Sequence, residues 1–252
     1  MATDKTSLGD RMKGYENITR NHLISRMPVI LRLDGRAFHT FTKGFAKPYD
    51  KIFAKSMEMT MRYLCENIQG CVLGYTQSDE ITLVLVDYQE LNTSSWFNNS
   101  IQKMVSVAAS MATWKFIEAM GSFKFLSNER NPEVYDKALS KGVFFDCRAF
   151  NVPKEEVTNC VLWRQQDAIR NSIQALGQAH FSHKELHKKS TDDIITMVKE
   201  KTGILWNNLP TKQQRGMCCI KDEEGHWVVD YNIPIFKGEG REYIEKLINV
   251  GE

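Results

Sequence analysis

Apolar residues change their spacing several times along the chain, and each change marks an element. Val29-Ile30-Leu31-Arg32-Leu33 is an apolar, β-prone run stopped by Asp34-Gly35, which predicts a strand ending in a turn. Beyond the loop holding Lys43-Gly44 and Pro48, apolar residues return at Ile52, Phe53, Met57, Met61, Leu64 and Ile68. Steps of three and four predict an amphipathic helix, with Asp50 as its N-cap. Residues 71–76 and 81–86 read as two strands around Gln77-Ser78-Asp79-Glu80, a tight hairpin with acids at its tip. Residues 96–120 predict a second long helix, 122–140 a loop, and 142–150 a fourth strand. The order β-α-β-β-α-β predicts an α+β fold, a ferredoxin-type antiparallel sheet with helices packed on it.

The remainder reads as mainly helical. Pro153 opens one helix and residues 167–179 carry another. Ser182 with Glu185, and Ser190 with Asp193, have the spacing of capping boxes, and Gly203 suits a helix stop. Residues 217–229, around Asp222-Glu223-Glu224-Gly225, predict a terminal hairpin, followed by a short helix from Gly240. These features divide the chain into a sheet domain over residues 1–152 and an appended helical region with a hairpin over 153–252.

Composition adds exclusions. Lys and Arg total 33 against 31 Asp and Glu, a net charge of +2, so any nucleic-acid contact must come from a local basic face. The six cysteines include no C-x-x-C pair, the pattern of a reduced, cytoplasmic protein with buried thiols. No apolar run approaches the roughly 20 residues that span a bilayer.

Asp34 ends the first strand, and a ferredoxin-type sheet places the hairpin bearing Asp79 beside it. Two carboxylates facing each other at one edge suit hard divalent cations such as Mg²⁺, which takes one or two carboxylates plus substrate phosphates. Gly35 leaves a backbone carbonyl open to such an ion, and Glu80 stands ready as a supporting acid.

Six short motifs then occur in order: R-L-D-G-R-A-F-H at Arg32 to His39, F-A-K-P at Phe45 to Pro48, Q-S-D-E at Gln77 to Glu80, F-D-C-R at Phe145 to Arg148, W-R-Q-Q-D at Trp163 to Asp167 and N-N-L-P at Asn207 to Pro210. Together they resemble the tRNA-histidine guanylyltransferase family. The resemblance implies a palm-like catalytic domain run in the 3′-to-5′ direction. It implies two Mg²⁺ held by Asp34, Gly35 and Asp79, with Glu80 in support and ATP, GTP and other NTPs as substrates. Arg32, Arg36, Ala37, Phe38, His39, Lys47, Asp50 and Ser78 fall on nucleotide-binding positions, and Lys103 matches more loosely. The partner implied is tRNA, and the assembly a homotetramer.

Two departures refine this reading. Cys147 stands where the family pattern has glycine. Ile169-Arg170-Asn171-Ser172 stands where enzymes that modify tRNA-His carry H-I-N-N, with Ile169 at the histidine position and only the asparagine Asn171 kept, so the chain resembles the bacterial and archaeal members that repair 5′-truncated tRNA. The rivals are guanosine addition to tRNA-His, a palm-domain nucleotide cyclase and a silent tRNA-binding protein. Arg164, Arg170, Asn171, Lys188, Lys189 and Arg215 are candidate RNA contacts, the two lysines belonging to the densest basic cluster with Lys184 and His187. His183 and His187 lack the glutamate that a zinc-protease motif requires after its first histidine. The five tryptophans read as core anchors.

Overall fold

Strand β1 (Val29–Gly35) is central because both of its faces are covered. Its residues alternate: Val29, Leu31 and Leu33 enter one apolar cluster, while Ile30 enters a second on the opposite face. Arg32 and Asp34 continue the second face. In a computed structural model that describes residues 5–126 and 132–249, β1 is flanked by β3 (Glu80–Leu85) and β4 (Phe145–Asn151). Strand β2 (Cys71–Gln77) pairs with β3, and the hairpin of β5 (Met217–Lys221) and β6 (Trp227–Asp230) adds to β2. The result is one antiparallel six-stranded sheet in the order β4-β1-β3-β2-β5-β6. The C-terminal hairpin thus extends the same sheet instead of standing apart from it.

One face is covered by α3 (Lys51–Asn67) and α4 (Ile101–Phe123), which follow a short first helix α1 (Leu8–Ile18) and a single turn α2 (Phe38–Phe41). Asp50 caps α3 as expected, accepting from the Phe53 amide at 2.9 Å. Residues 122–140, read as a loop, contain α5 (Glu133–Leu139), whose Tyr135 and Ala138 are buried; residues 127–131 lie outside the described residues.

The other face carries α6 (Lys154–His180), a single helix of 27 residues where the sequence reading had two. The apolar stripe breaks at Arg164-Gln165, and the periodicity was lost there. Both side chains are nonetheless buried, because each finds polar partners. Gln165 donates to the Pro234 carbonyl at 2.8 Å and accepts from the Phe236 amide at 3.0 Å. Val157, Val161 and Ala168 complete the buried stripe with them.

After α6 come α7 (His183–Leu186), α8 (Thr191–Thr202), α9 (Thr211–Arg215) and, after the hairpin, α10 (Glu242–Ile248). Both capping boxes are present, and Gly203 ends α8 with φ 75°. Helix α8 packs on the C-terminal half of α6 in a satellite cluster of Ile173, Leu176, Ile194 and Val198, while Ile244 and Ile248 of α10 join the core beneath the sheet. Among the described residues no helix is long and apolar enough to cross a membrane. Trp96 is buried, and Trp206 and Trp227 pack on apolar clusters. Trp114 and Trp163, however, are 57% and 51% exposed, so neither is the core anchor expected of it.

Candidate active site

The sheet brings its acids together by register. Asp34 at the end of β1 lies directly across from Glu80 on β3 and Asp146 on β4. The Gly35 amide donates to the Asp79 carbonyl at 3.0 Å, which ties the hairpin tip to the end of β1. The tip has two residues between paired Gln77 and Glu80, and Ser78 takes the left-handed φ of 49° that such turns need. Its hydroxyl donates to Asp79 Oδ1 at 3.0 Å.

These carboxyls resist ionisation. Burial pushes the Asp34 pKa up and the facing Asp146 adds to it, against the arginines at 148, 32 and 164. Burial likewise raises Asp79; the Ser78 hydroxyl opposes this, Asp34 adds to it and His39 opposes it. A divalent cation would relieve both costs. Among the described residues no group of three or more His, Cys, Asp or Glu is placed to hold a metal. Two carboxylates lining one cleft do fit Mg²⁺, which keeps water and substrate phosphate as its other ligands.

A loop after β1 forms the other wall. Gly35 matters here for packing: a Cβ at this position would stand 2.5 Å from the Phe38 ring. Phe38 folds back over the strand end through Ala37, whose φ is 56°. The Phe38 ring lies 5.0 to 5.9 Å from those of Phe41, Phe53, Phe116 and Phe145. Buried Asp50 closes the loop: besides Phe53, its carboxylate accepts from the Ala46 amide at 2.9 Å and the Tyr135 hydroxyl at 3.0 Å. Asp50 is thereby committed to holding the loop that presents exposed Lys47 and His39.

The two walls enclose a cleft of about 510 Å³. Asp34, Gly35, Ser78 and Asp79 line it from the sheet, and Ala37, Phe38, His39, Lys47 and Asp50 from the loop. A neighbouring cavity of about 400 Å³ shares Asp50 and Ser78 and is lined further out by Tyr49, Asn171 and Lys212.

Other candidates sit elsewhere. Arg32 extends to the α6 side of the sheet, where its guanidinium lies 5.4 Å from the Trp163 ring. Arg36 is exposed beside the cleft, its amide bonded to the Phe144 carbonyl. Lys103 occupies the first turn of α4, and the helix from there to Phe116 spans about 20 Å. Glu80 does not line the cleft, and it pairs with Arg164 Nε at 2.6 Å.

That pair corrects the reading of Arg164 as an RNA contact. Arg164 is 8% exposed and also bonds Asp167 through NH2 at 2.9 Å, so it is spent on two acids. Asp167 in turn accepts from exposed Arg170 and from Asn171. Arg215 is half-buried, donating to the Ile233 carbonyl at 3.0 Å. Lys188 and Lys189 are exposed between α7 and α8. The sequence reading gave no role to Asp146 and took Trp163 for a core anchor; the sheet register brings Asp146 to the site, and the ring of Trp163 is exposed.

The family model described as tRNAHis guanylyltransferase matches residues 9–153. A tRNA(His) guanylyltransferase of Schizosaccharomyces pombe is 30% identical over 64% of this chain and 56% of its own length. An uncharacterized protein of Acanthamoeba polyphaga mimivirus is 29% identical over 85% of this chain and 77% of its own. Among solved structures, a bacterial tRNA(His) guanylyltransferase-like protein in complex with ATP is 44% identical with a TM-score of 0.87, covering 97% of this chain and 100% of that one.

Proposed function

This chain belongs to the tRNAHis guanylyltransferase family and is a nucleotidyltransferase, and from that premise we propose that it extends the 5′ end of tRNA in the 3′-to-5′ direction, repairing truncated ends by templated addition. The observation that carries the reading is the cleft itself: Asp34 and Asp79 at one sheet edge face Lys47 and His39 on a loop fixed by Asp50 and an aromatic cluster. We take strands β4-β1-β3-β2 with α3 and α4 as a ferredoxin-type palm, to which residues 153–252 add the remaining strands and the RNA-contacting helices.

In this reading the RNA 5′-phosphate first displaces pyrophosphate from ATP to give an adenylylated end. The 3′-hydroxyl of an NTP, selected by pairing with the opposite strand, then attacks the 5′-phosphorus and AMP leaves. Asp34, Asp79 and the Gly35 carbonyl would hold two Mg²⁺, which when bound supply charge neutralisation at the transferred phosphoryl group and activation of the attacking hydroxyl. Lys47 and His39 bring donors to the nucleotide phosphates, and the Ser78 hydroxyl holds Asp79 in place. Arg170, Asn171, Lys188 and Lys189 supply RNA contacts on the α6 to α8 side. The exposed apolar residues of α1, Leu8, Met12, Tyr15 and Ile18, support assembly as a homo-oligomer.

The test is incubation with Mg²⁺, ATP, all four NTPs and a 5′-monophosphorylated tRNA lacking its first nucleotide. Growth that restores the missing base pair is expected. Guanosine added only to intact tRNA-His would replace repair by guanylylation, and no product from either RNA would overturn the reading. Lys47→Ala is expected to slow activation of a 5′-monophosphate more than extension of a 5′-triphosphate end, compared by single-turnover assay. Equal losses on the two ends would remove Lys47 from the activation step.

A further inference from the structure

Trp163 lies on α6, on the sheet face opposite α3 and α4, with half of its ring in solvent. Two guanidiniums address it, Arg164 at 4.3 Å and Arg32 at 5.4 Å from the ring centroid. Arg164 is neutralised by Glu80 and Asp167, as described above. Arg32 makes no ion pair among the described residues, and its buried Nε has no hydrogen-bond partner. Arg148 stands opposite Arg32 in the β1–β4 register, half-exposed and paired with Asp146 Oδ1 at 3.4 Å. This cluster is one strand repeat from Asp34: Arg32 and Asp34 are alternate residues on the same face of β1, about 6.6 Å apart along the strand. The arginines are close enough to Asp34 to pull its pKa down against burial.

An exposed indole beside Arg32, a guanidinium with no ion pair among the described residues, matches a ligand with both a π-face and an anionic group. A nucleotide has both, and stacking tolerates any base because every base has a π-face. Resting on the reading above, we propose that Trp163 is the platform on which the 5′-terminal base of the RNA stacks. That base would cap the acceptor stem against the indole and bring its phosphate past Arg32 and Arg148 toward Asp34. An enzyme that repairs ends of differing sequence needs such a sequence-tolerant hold on the last base, whereas the base to be added is chosen by the opposite strand.

The experiment uses the full chain and a 5′-monophosphorylated tRNA acceptor-stem duplex with 2-aminopurine as its 5′-terminal base, titrated without nucleotides. Wild-type protein is expected to quench the probe. Trp163→Leu is expected to abolish the quenching and to raise the RNA Kd, and the RNA KM in the addition assay, about tenfold, with the KM for ATP unchanged. Tenfold corresponds to ~1.4 kcal/mol, within the range for stacking one base on an aromatic side chain. Trp163→Phe is expected to keep most of the affinity, and thermal unfolding checks that both variants fold. Equal weakening by Leu and Phe, an unchanged RNA KM in Trp163→Leu, or wild-type protein that extends the RNA without quenching the probe would each overturn the platform. Quenching that depends on Trp163 in a protein that adds no nucleotide would uphold the platform and defeat the addition reading instead.

Discussion

Asp34→Asn and Asp79→Asn are each expected to lower nucleotide addition by on the order of 10²–10³-fold or more, the scale on which loss of one preorganised electrostatic group at a reacting phosphoryl is felt, while leaving the protein folded and, without divalent cation, more stable. The stability gain follows from the direction of the pKa shifts. Burial raises both carboxyls above their ordinary values; Asp146 raises Asp34 further, and Asp34 raises Asp79. A group whose folded pKa lies above its unfolded pKa favours the folded state fully below the unfolded value, and that contribution is lost as pH rises through the folded value. Near neutral pH the ionised pair is therefore a liability that a cation removes. Asparagine removes it permanently. Thermal unfolding with and without Mg²⁺ checks this: wild type should gain stability on adding Mg²⁺, more at pH 8 than at pH 5, and both variants should lose that response. At 100-fold excess of cation over Kd the gain is ~2.7 kcal/mol. Near-normal activity in either variant would sink the metal assignment, and a fall in stability for both would make the carboxylates structural.

The cleft was legible because its residues lie in local signals. A strand run ending at Asp34-Gly35 and an acidic hairpin tip each mark their own turn, and topology alone sets them side by side. The Asp50 cap was readable from the periodicity of α3, though its bonds to Ala46 and Tyr135 were not, since Tyr135 sits in a stretch that carries no strong pattern. What escaped depends on distant pairing. Arg164 and Gln165 look like solvent residues until Glu80 and the Pro234–Phe236 backbone are brought against them, and with them went the continuity of α6. The hairpin expected over 217–229 is present, but its place at the edge of β2 is a contact across most of the chain. Gly35 was read for a metal's sake, whereas the close partner that the fold places there is the Phe38 ring. Trp163 was assigned to the core because most tryptophans belong there, and nothing in its neighbours' identities says that the sheet edge leaves it open.

Arg164→Ala gives the second large effect, and it separates the two readings of that residue. Glu80 is buried, and burial holds its pKa up even against the hydrogen bond and charge of Arg164. Removing the guanidinium strands this carboxylate beside Asp34. Breaking a buried pair from one side costs ~3–5 kcal/mol; a value near ~3 kcal/mol is expected, because Glu80 escapes part of the penalty by taking up a proton. In a chain of this size that is a Tm lower by roughly 6–12 °C. Activity should fall as well, since Glu80 and Asp34 are direct neighbours in the β1–β3 register and a reoriented Glu80 disturbs the edge that presents the cleft carboxylate. Arg164→Lys is expected to fall between, because one ammonium cannot reproduce the fork that reaches Glu80 through Nε and Asp167 through NH2. Pairing Arg164→Met with Glu80→Gln should recover most of the stability, by removing the charge that Met alone would strand, yet leave addition impaired. An RNA-contacting arginine behaves oppositely: its loss leaves Tm in place, weakens RNA binding and lowers the salt slope of that binding by about one. If Arg164→Ala matches wild type in Tm and shows that reduced slope, the guanidinium belongs to the RNA and not to Glu80.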